Sequence, residues 1–409
     1  MTVRLFQAKK KFLPLQLTLM LVLFLTTAIF STLSAQTVPQ PVIQFVFTSD
    51  PHYGITRDNF QGASKVDAHI VNAAMVAKMN ALPVLKLPAD GGINEGQTIG
   101  AIDFIAETGD IANRQEGAAE KHIQSAAESW NQFKADYIDG LTLKNRNNEK
   151  TPLYIVPGNH DVTDAIGFYK PMYPAKDATS IAAIYNLMMK PAVPKTKDTY
   201  NYATDKIHFS LNIDGIHFIF ITMWPDSGER QWIEEDLQKV SADTPVILFT
   251  HDQPDVEAKH LMNPNGKHDI NSTDQFEDLL TDQLADGKTV ADPTTMEQKA
   301  LETFLKNHPN ITAYFHGNDN WHRFMDWTGP DHTVAIHKFV VDSPMKGNVS
   351  AKDETKLAFY LVTIDPQSRL MTVRDCLWNA DPSKPSSPIA WGNTVTVALF
   401  PRPAIQTVK

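Results

Sequence analysis

Cysteine is almost absent from this chain, with Cys376 standing alone among 409 residues. A lone cysteine excludes an intramolecular disulfide and a lipid anchor on a cysteine near residue 35, so stability has to come from a large apolar core. A surplus of positive charge is also missing. The net charge is −10, whereas a general nucleic-acid binder carries the Lys and Arg excess that neutralises phosphates. Internal repeats and low-complexity tracts are missing too. The exceptional apolar run is LTLMLVLFLTTAIF at residues 17–30, which follows Arg4, Lys9, Lys10 and Lys11 and precedes small residues. That order is the pattern of a signal peptide with a cut after Ala35, and the run is short for a membrane span. Residues 1–35 therefore read as an export signal, with retention as an anchor the alternative because Leu33 is bulky for its place. The remainder, 36–409, is expected to be one domain, secreted or periplasmic and without a membrane span in its mature form.

Five apolar runs end abruptly in polar residues: VIQFVFTSD, AIDFIAETGD, PLYIVPGNHD, PVILFTHD and ITAYFHGND. Each has the pattern of a buried strand leaving a sheet. The spacing of apolar residues predicts helices over 64–82, 118–138, 229–240 and 295–307, and strands alternating with helices indicate an α/β architecture. Two further pairs of apolar runs, around Asp214-Gly215 and around residues 366–368, read as antiparallel hairpins, so the sheets should be mixed. Residues 80–100 and 253–293 break the alternation. Loops of that length are expected to be lids or substrate walls.

The strand ends carry metal-capable side chains. SDPHYG offers Asp50 and His52, GDIANR offers Asp110 and Asn113 with Arg114, GNHD offers Asn159, His160 and Asp161, and THDQ offers His251. Carboxylate, imidazole and amide oxygen together suit Zn, Mn or Fe. In α/β sheets the carboxyl ends of strands line the ligand crevice. Taken singly the signals are weak, since an Asp-x-His is usually an ordinary loop pair and Gly-Asn is also a turn dipeptide. The ordered series, each member directly after a buried strand, is what gives them weight.

This series, D-x-H, G-D-x-x-x-R, G-N-H-D and a later strand-end histidine, resembles the calcineurin-like metallophosphoesterase superfamily from residue 42 to residue 320. The resemblance implies an α/β four-layer αββα sandwich of two mixed β-sheets flanked by helices. It also implies two divalent metal ions, Mn, Zn or Fe. Asp50 and His52 would hold the first, Asp110 would bridge both, and Asn159 and His251 would hold the second. His160 would be the acid or electrostatic partner of the leaving group, and Arg114 a phosphate clamp. Such a site lowers the pKa of a bound water to about 7, giving a metal-bound hydroxide nucleophile without a covalent enzyme intermediate.

The chain departs from the family pattern at its last motif, G-H-x-H, which here reads Gly317, Asn318, Asp319, Asn320. Three arrangements are open. Asn318 and Asn320 ligate through their amide oxygens, or Asp319, His316 or His322 is recruited instead, or the site is a weak binder. A second departure is Asn113, where some members carry an acid that orients the catalytic histidine, so Asp161 is expected to help hold His160. Among the remaining histidines, His268 in the 253–293 stretch is the best candidate for a substrate contact. Trp321 and Trp327 read as packing residues. The expected function is an exported, metal-dependent phosphoric ester hydrolase acting on a small phosphate ester, with no stable nucleic-acid partner. The alternatives are a non-catalytic phosphate- or ligand-binding protein that keeps the fold, and a nuclease or cyclic-nucleotide phosphodiesterase. The sequence leaves mono- against diester preference, metal identity and oligomeric state open.

Overall fold

Alternate phenylalanines on β1 (Ile43–Thr48) divide the molecule into layers. Successive side chains on a strand face opposite ways; Phe45 and Phe47 enter one apolar core while Val46 enters another. The computed structural model describes residues 41–113, 124–163, 177–202, 204–256 and 293–401. These all belong to one contact unit, Pro41–Lys409. Residues 1–35, expected to be an export signal, lie outside the described residues.

The first sheet contains β1, β4 (Phe104–Glu107), β5 (Leu153–Ile155), β12 (Ala358–Asp365), β13 (Leu370–Leu377) and β14 (Ala390–Ala398), in the order β14-β13-β12-β1-β4-β5. Strands β1, β4 and β5 are parallel, and β12 to β14 join antiparallel. The second sheet contains β6 (Phe209–Ile213), β7 (Ile216–Phe220), β8 (Val246–Phe249), β9 (Ile311–His316), β10 (Arg323–Trp327) and β11 (Ile336–Val340), in the order β10-β11-β9-β8-β7-β6. Its four central strands are parallel and both edge strands antiparallel, so both sheets are mixed.

Between the sheets lies an aromatic core. Phe45 stacks on Phe104 with centroids 4.6 Å apart, and Phe220 stacks on Phe249 at 4.5 Å. On the outer face of the first sheet, Val46, Ile105 and Ile155 pack with residues of α1 (Ala68–Ala81), α2 (Ala126–Phe133) and α4 (Thr179–Met189). On the outer face of the second, Ile219, Leu248 and Tyr314 pack with α5 (Ser227–Leu237) and α6 (Pro293–Asn307). This is the expected four-layer αββα sandwich. Among the described residues no helix is long and apolar enough to cross a membrane.

Three local expectations need correction. The helix predicted from residue 64 begins at Ala68, because 63–67 forms β3 (Ala63–Asp67), paired antiparallel with β2 (Thr56–Phe60) across a turn at Gln61 and Gly62, both with positive φ. Of the helix predicted over 118–138, the described part is α2 followed by a π-helical turn, Lys134–Asp139. The 80–100 stretch is neither lid nor substrate wall. Asp90 takes two hydrogen bonds from Arg374 on β13, and the Ile99 carbonyl accepts from Gln44 at the start of β1, the end opposite the ligand-bearing loops. Most of 253–293 lies outside the described residues.

Candidate metal centre

Every loop that leaves the carboxyl end of a central parallel strand meets at one edge of the sandwich. Behind β1 come Asp50 and His52. Behind β4 comes Asp110, and behind β5 the short helix α3 (Asn159–Thr163) opens with Asn159 and His160. His251 follows β8, and Asn318 and Asn320 follow β9. Of these, Asp50, His52, Asp110, Asn318 and Asn320 all have left-handed backbone, with φ between 44° and 64°. Such conformations in non-glycine residues cost about 1 kcal/mol or more each and cluster at functional sites. Close approach of the β4 and β5 loops needs glycine on both sides: a Cβ on Gly109, which has φ 96°, would overlap the Gly158 backbone, and one on Gly158 would overlap the Asp110 carboxylate.

The carboxylate of Asp110 sits at the centre. Its Oδ1 lies 3.3 Å from His251 Nε2, and its Oδ2 lies 3.6 Å from His52 Nε2 and 3.9 Å from His160 Nε2. Asp50 Oδ1 is 3.5 Å from His52 Nε2. Two overlapping groups have ligand atoms close enough to share a cation: His52, Asp110 and His160, and Asp50, Asp110 and His251. Asn159 joins the second through its Oδ1, 2.9 Å from His251 Nε2. All these residues are buried. His251 donates its Nδ1 proton to the Thr108 carbonyl at 2.5 Å, which leaves Nε2 as the ligand atom. Burial opposes charge on this ring, but Asp110, Asp50 and Asp252 push it up to about 9. Burial holds His52 well below the ordinary histidine range and Asp110 well above the carboxylate range.

The donor set fits divalent cations. Asp50 Oδ1, both ring nitrogens of His52 and Asn320 Oδ1 are buried with no hydrogen-bond partner. Unpaired buried acceptors are costly, and a cation satisfies them. Asn320, a ligand in the first reading, has its amide nitrogen tied back to the Asn318 carbonyl at 3.1 Å, which leaves its buried Oδ1 without a partner. Asn318 differs: its side-chain nitrogen donates to Gln253 Oε1 at 3.0 Å, and its backbone N–H donates to Asp50 Oδ2 at 3.1 Å.

The residues of the recruitment reading lie outside both ligand groups. Asp319 pairs with Arg323 at 3.2 Å, and His322 Nε2 lies 2.9 Å from Asp375 on β13. His316 donates its Nδ1 proton to the neighbouring Gly317 carbonyl at 2.8 Å, and burial pushes its pKa down to about 4.

Two catalytic assignments also change. Asn113 acts through its backbone, whose carbonyl accepts from His160 Nδ1 at 2.7 Å, while its side-chain oxygen is buried and unpaired. Asp161 points into the loops rather than toward the His160 ring. It accepts backbone N–H bonds from Ile111, Ala112 and Gly158 at 3.2, 3.2 and 3.0 Å, locking the Asp110 loop to the Asn159 loop. Its carboxyl is raised by burial, with those three bonds opposing the rise. Arg114 and His268 lie outside the described residues. Trp327 packs in the outer core of the second sheet as expected, whereas Trp321 is 42% exposed.

Sequence reasoning missed Lys346. Its Nζ lies 3.3 Å from His160 Nε2, so the ring, which donates from Nδ1, accepts from the ammonium as a neutral imidazole. Burial and then Lys346 hold His160 well below the ordinary histidine range. The available signal was the strand itself, since Lys346 follows β11 and β11 runs parallel to β9.

A family model described as calcineurin-like phosphoesterase matches residues 43–335. Among solved structures, the chain is similar to a dimetal phosphatase from Danio rerio at 10% identity, covering 88% of this chain and 99% of that one, with TM-score 0.43. It is similar to the calcineurin-like phosphoesterase YfkN from Bacillus subtilis at 10% identity, covering 88% and 90%, with TM-score 0.30. A predicted phosphoesterase from Streptococcus pneumoniae is 8% identical over 87% and 98%, with TM-score 0.29. No curated protein matches the chain.

Proposed function

Because the chain belongs to the calcineurin-like phosphoesterase family, we propose that it is an exported hydrolase of small phosphoric esters working with two divalent cations. The observation that carries this reading is the buried cluster of Asp50, His52, Asp110 and His251 around shared points, with orphaned acceptors on Asp50, His52 and Asn320. Asp50, His52, Asp110 and Asn320 would hold the first cation; Asp110, Asn159 and His251 would hold the second, beside Asn318. Bound cations at such a site acidify a coordinated water and offset charge building on the phosphoryl oxygens.

The protein's own groups do the positioning. Asp110, fixed by the His160 backbone N–H at 2.9 Å, holds the two ligand groups in one geometry. The Thr108 carbonyl selects the His251 tautomer, and the Asn113 carbonyl fixes the His160 ring so that its Nε2 faces Asp110 and Lys346 at the edge of the cluster. Arg114 and His268 are proposed to contact the substrate. Export rests on the basic and apolar segment before Ala35 and is checked by N-terminal sequencing of the mature chain.

The deciding assay is hydrolysis of p-nitrophenyl phosphate and bis-p-nitrophenyl phosphate before and after chelation, with Mn or Zn restored. Activity that is lost to the chelator and returns with metal supports the proposal. No turnover of either ester with metal bound would favour a phosphate-binding protein that keeps the fold, a reading supported by the two asparagines in place of imidazoles.

A further inference from the structure

Lys346 brings a full positive charge to the metal centre on a segment held at many points. After β11 the chain turns at Ser343, whose hydroxyl donates to the Asp50 carbonyl at 2.7 Å and accepts the Lys346 N–H at 3.0 Å. The Gly347 N–H donates to the Ser343 carbonyl at 3.0 Å, and Asp342 accepts the Ser350 N–H at 2.7 Å. From below, the buried guanidinium of Arg57 donates to the carbonyls of Pro344, at 2.7 Å, and Ser350. From the side, Asn348 donates to the carbonyls of Asn320 and Asp319, at 2.8 and 3.1 Å. The segment is thus tied to Asp50 and to the asparagine loop, both parts of the metal centre, so the lysine's anchorage is built into the site.

The side chain ends 3.3 Å from His160 Nε2. His160 Nε2 is in turn 3.9 Å from Asp110 Oδ2. An ammonium there stands at the edge of the cluster, beside the point where the phosphoryl group would lie. Lysine is a compact point charge with three donors, able to take a phosphoryl oxygen while still touching an imidazole. A phosphomonoester near neutral pH is a dianion, and a diester is a monoanion with one oxygen blocked by its second substituent. A fixed cation at the phosphoryl group therefore attracts the monoester more strongly, and at a partly buried site the difference is less screened than in bulk water.

Resting on the hydrolase reading above, we propose that Lys346 is a substrate-contacting residue that binds a non-bridging phosphoryl oxygen beside His160 and selects phosphomonoesters over diesters. The test compares metal-loaded wild type with Lys346→Met and Lys346→Arg on p-nitrophenyl phosphate and bis-p-nitrophenyl phosphate. It also measures inorganic phosphate binding by calorimetry and metal content by elemental analysis. Expected for Lys346→Met is a loss of about 100-fold in monoester kcat/KM, a diester loss under about tenfold, and weaker phosphate binding, with metal content unchanged. Lys346→Arg, which keeps the charge, should recover part of the monoester rate. Equal losses on both esters, unchanged phosphate binding, or depleted metal in Lys346→Met would overturn the proposal while leaving the hydrolase reading intact. A wild type that turns over neither ester would overturn both.

Discussion

Replacing Asp161 separates two roles that the sequence alone could not distinguish. Its carboxylate accepts from three buried backbone N–H groups, on Ile111, Ala112 and Gly158. Alanine leaves all three without an acceptor, and each unsatisfied buried donor costs about 1–3 kcal/mol. Relaxation and the removal of a carboxyl that burial disfavours offset part of this, giving a net loss of roughly 3–6 kcal/mol. That is a large share of the 5–15 kcal/mol, roughly, that separates folded from unfolded chains. Asparagine should cost less. Its oxygen can replace Oδ2 and keep Ile111 and Gly158, so only the Ala112 donor is lost, at about 1–3 kcal/mol. Urea denaturation of the metal-free protein reads both values from the midpoint and slope. An alanine variant within about 1 kcal/mol of wild type that nevertheless loses turnover would refute this reasoning and return Asp161 to the chemical step.

Further outcomes follow from the same contacts. Burial lifts the Asp342 carboxyl from 3.8 to about 6, so the folded state holds its proton more tightly than the unfolded state. Stability should then fall as pH rises from about 4 to about 6, by about 3 kcal/mol in total; Asp342→Asn should remove this slope in urea midpoints taken across that range, and an unchanged slope would count against the assignment. Gly158→Ala places a Cβ on the Asp110 carboxylate, so metal affinity measured by titration should fall by at least about 10-fold, and wild-type affinity in that variant would contradict the packing. Because only the folded chain presents the clustered ligands, free metal at about 100 times Kd should add about 2.7 kcal/mol of stability. A melting curve that does not move on chelation would argue that the cluster is not a metal site.

Much of the layering was legible in the sequence. Apolar runs that stop at polar residues found β1, β4, β5, β8 and β9, and Asp214-Gly215, both with positive φ, announced the β6–β7 turn. Because ligand residues directly follow those strands, most of the candidate centre was legible as well. The β2–β3 hairpin escaped because its residues are mostly exposed and polar, so no apolar alternation marks it. Strand β11 escaped for the opposite reason. Lys338 interrupts its apolar run yet is buried, its ammonium paired with Asp255 at 2.6 Å. With β11 unread, the loop behind it and Lys346 went unread too. The roles of Asn113 and Asp161 depend on backbone carbonyls and N–H groups, which residue identity does not encode.

The central claim is that the asparagine loop completes a site for two cations. Elemental analysis of the reconstituted, desalted protein, alongside Asn320→Ala, tests it most directly. The account predicts about two equivalents of Mn, Zn or Fe in wild type and a loss of the first in the variant. Metal near zero in the wild-type protein would contradict it.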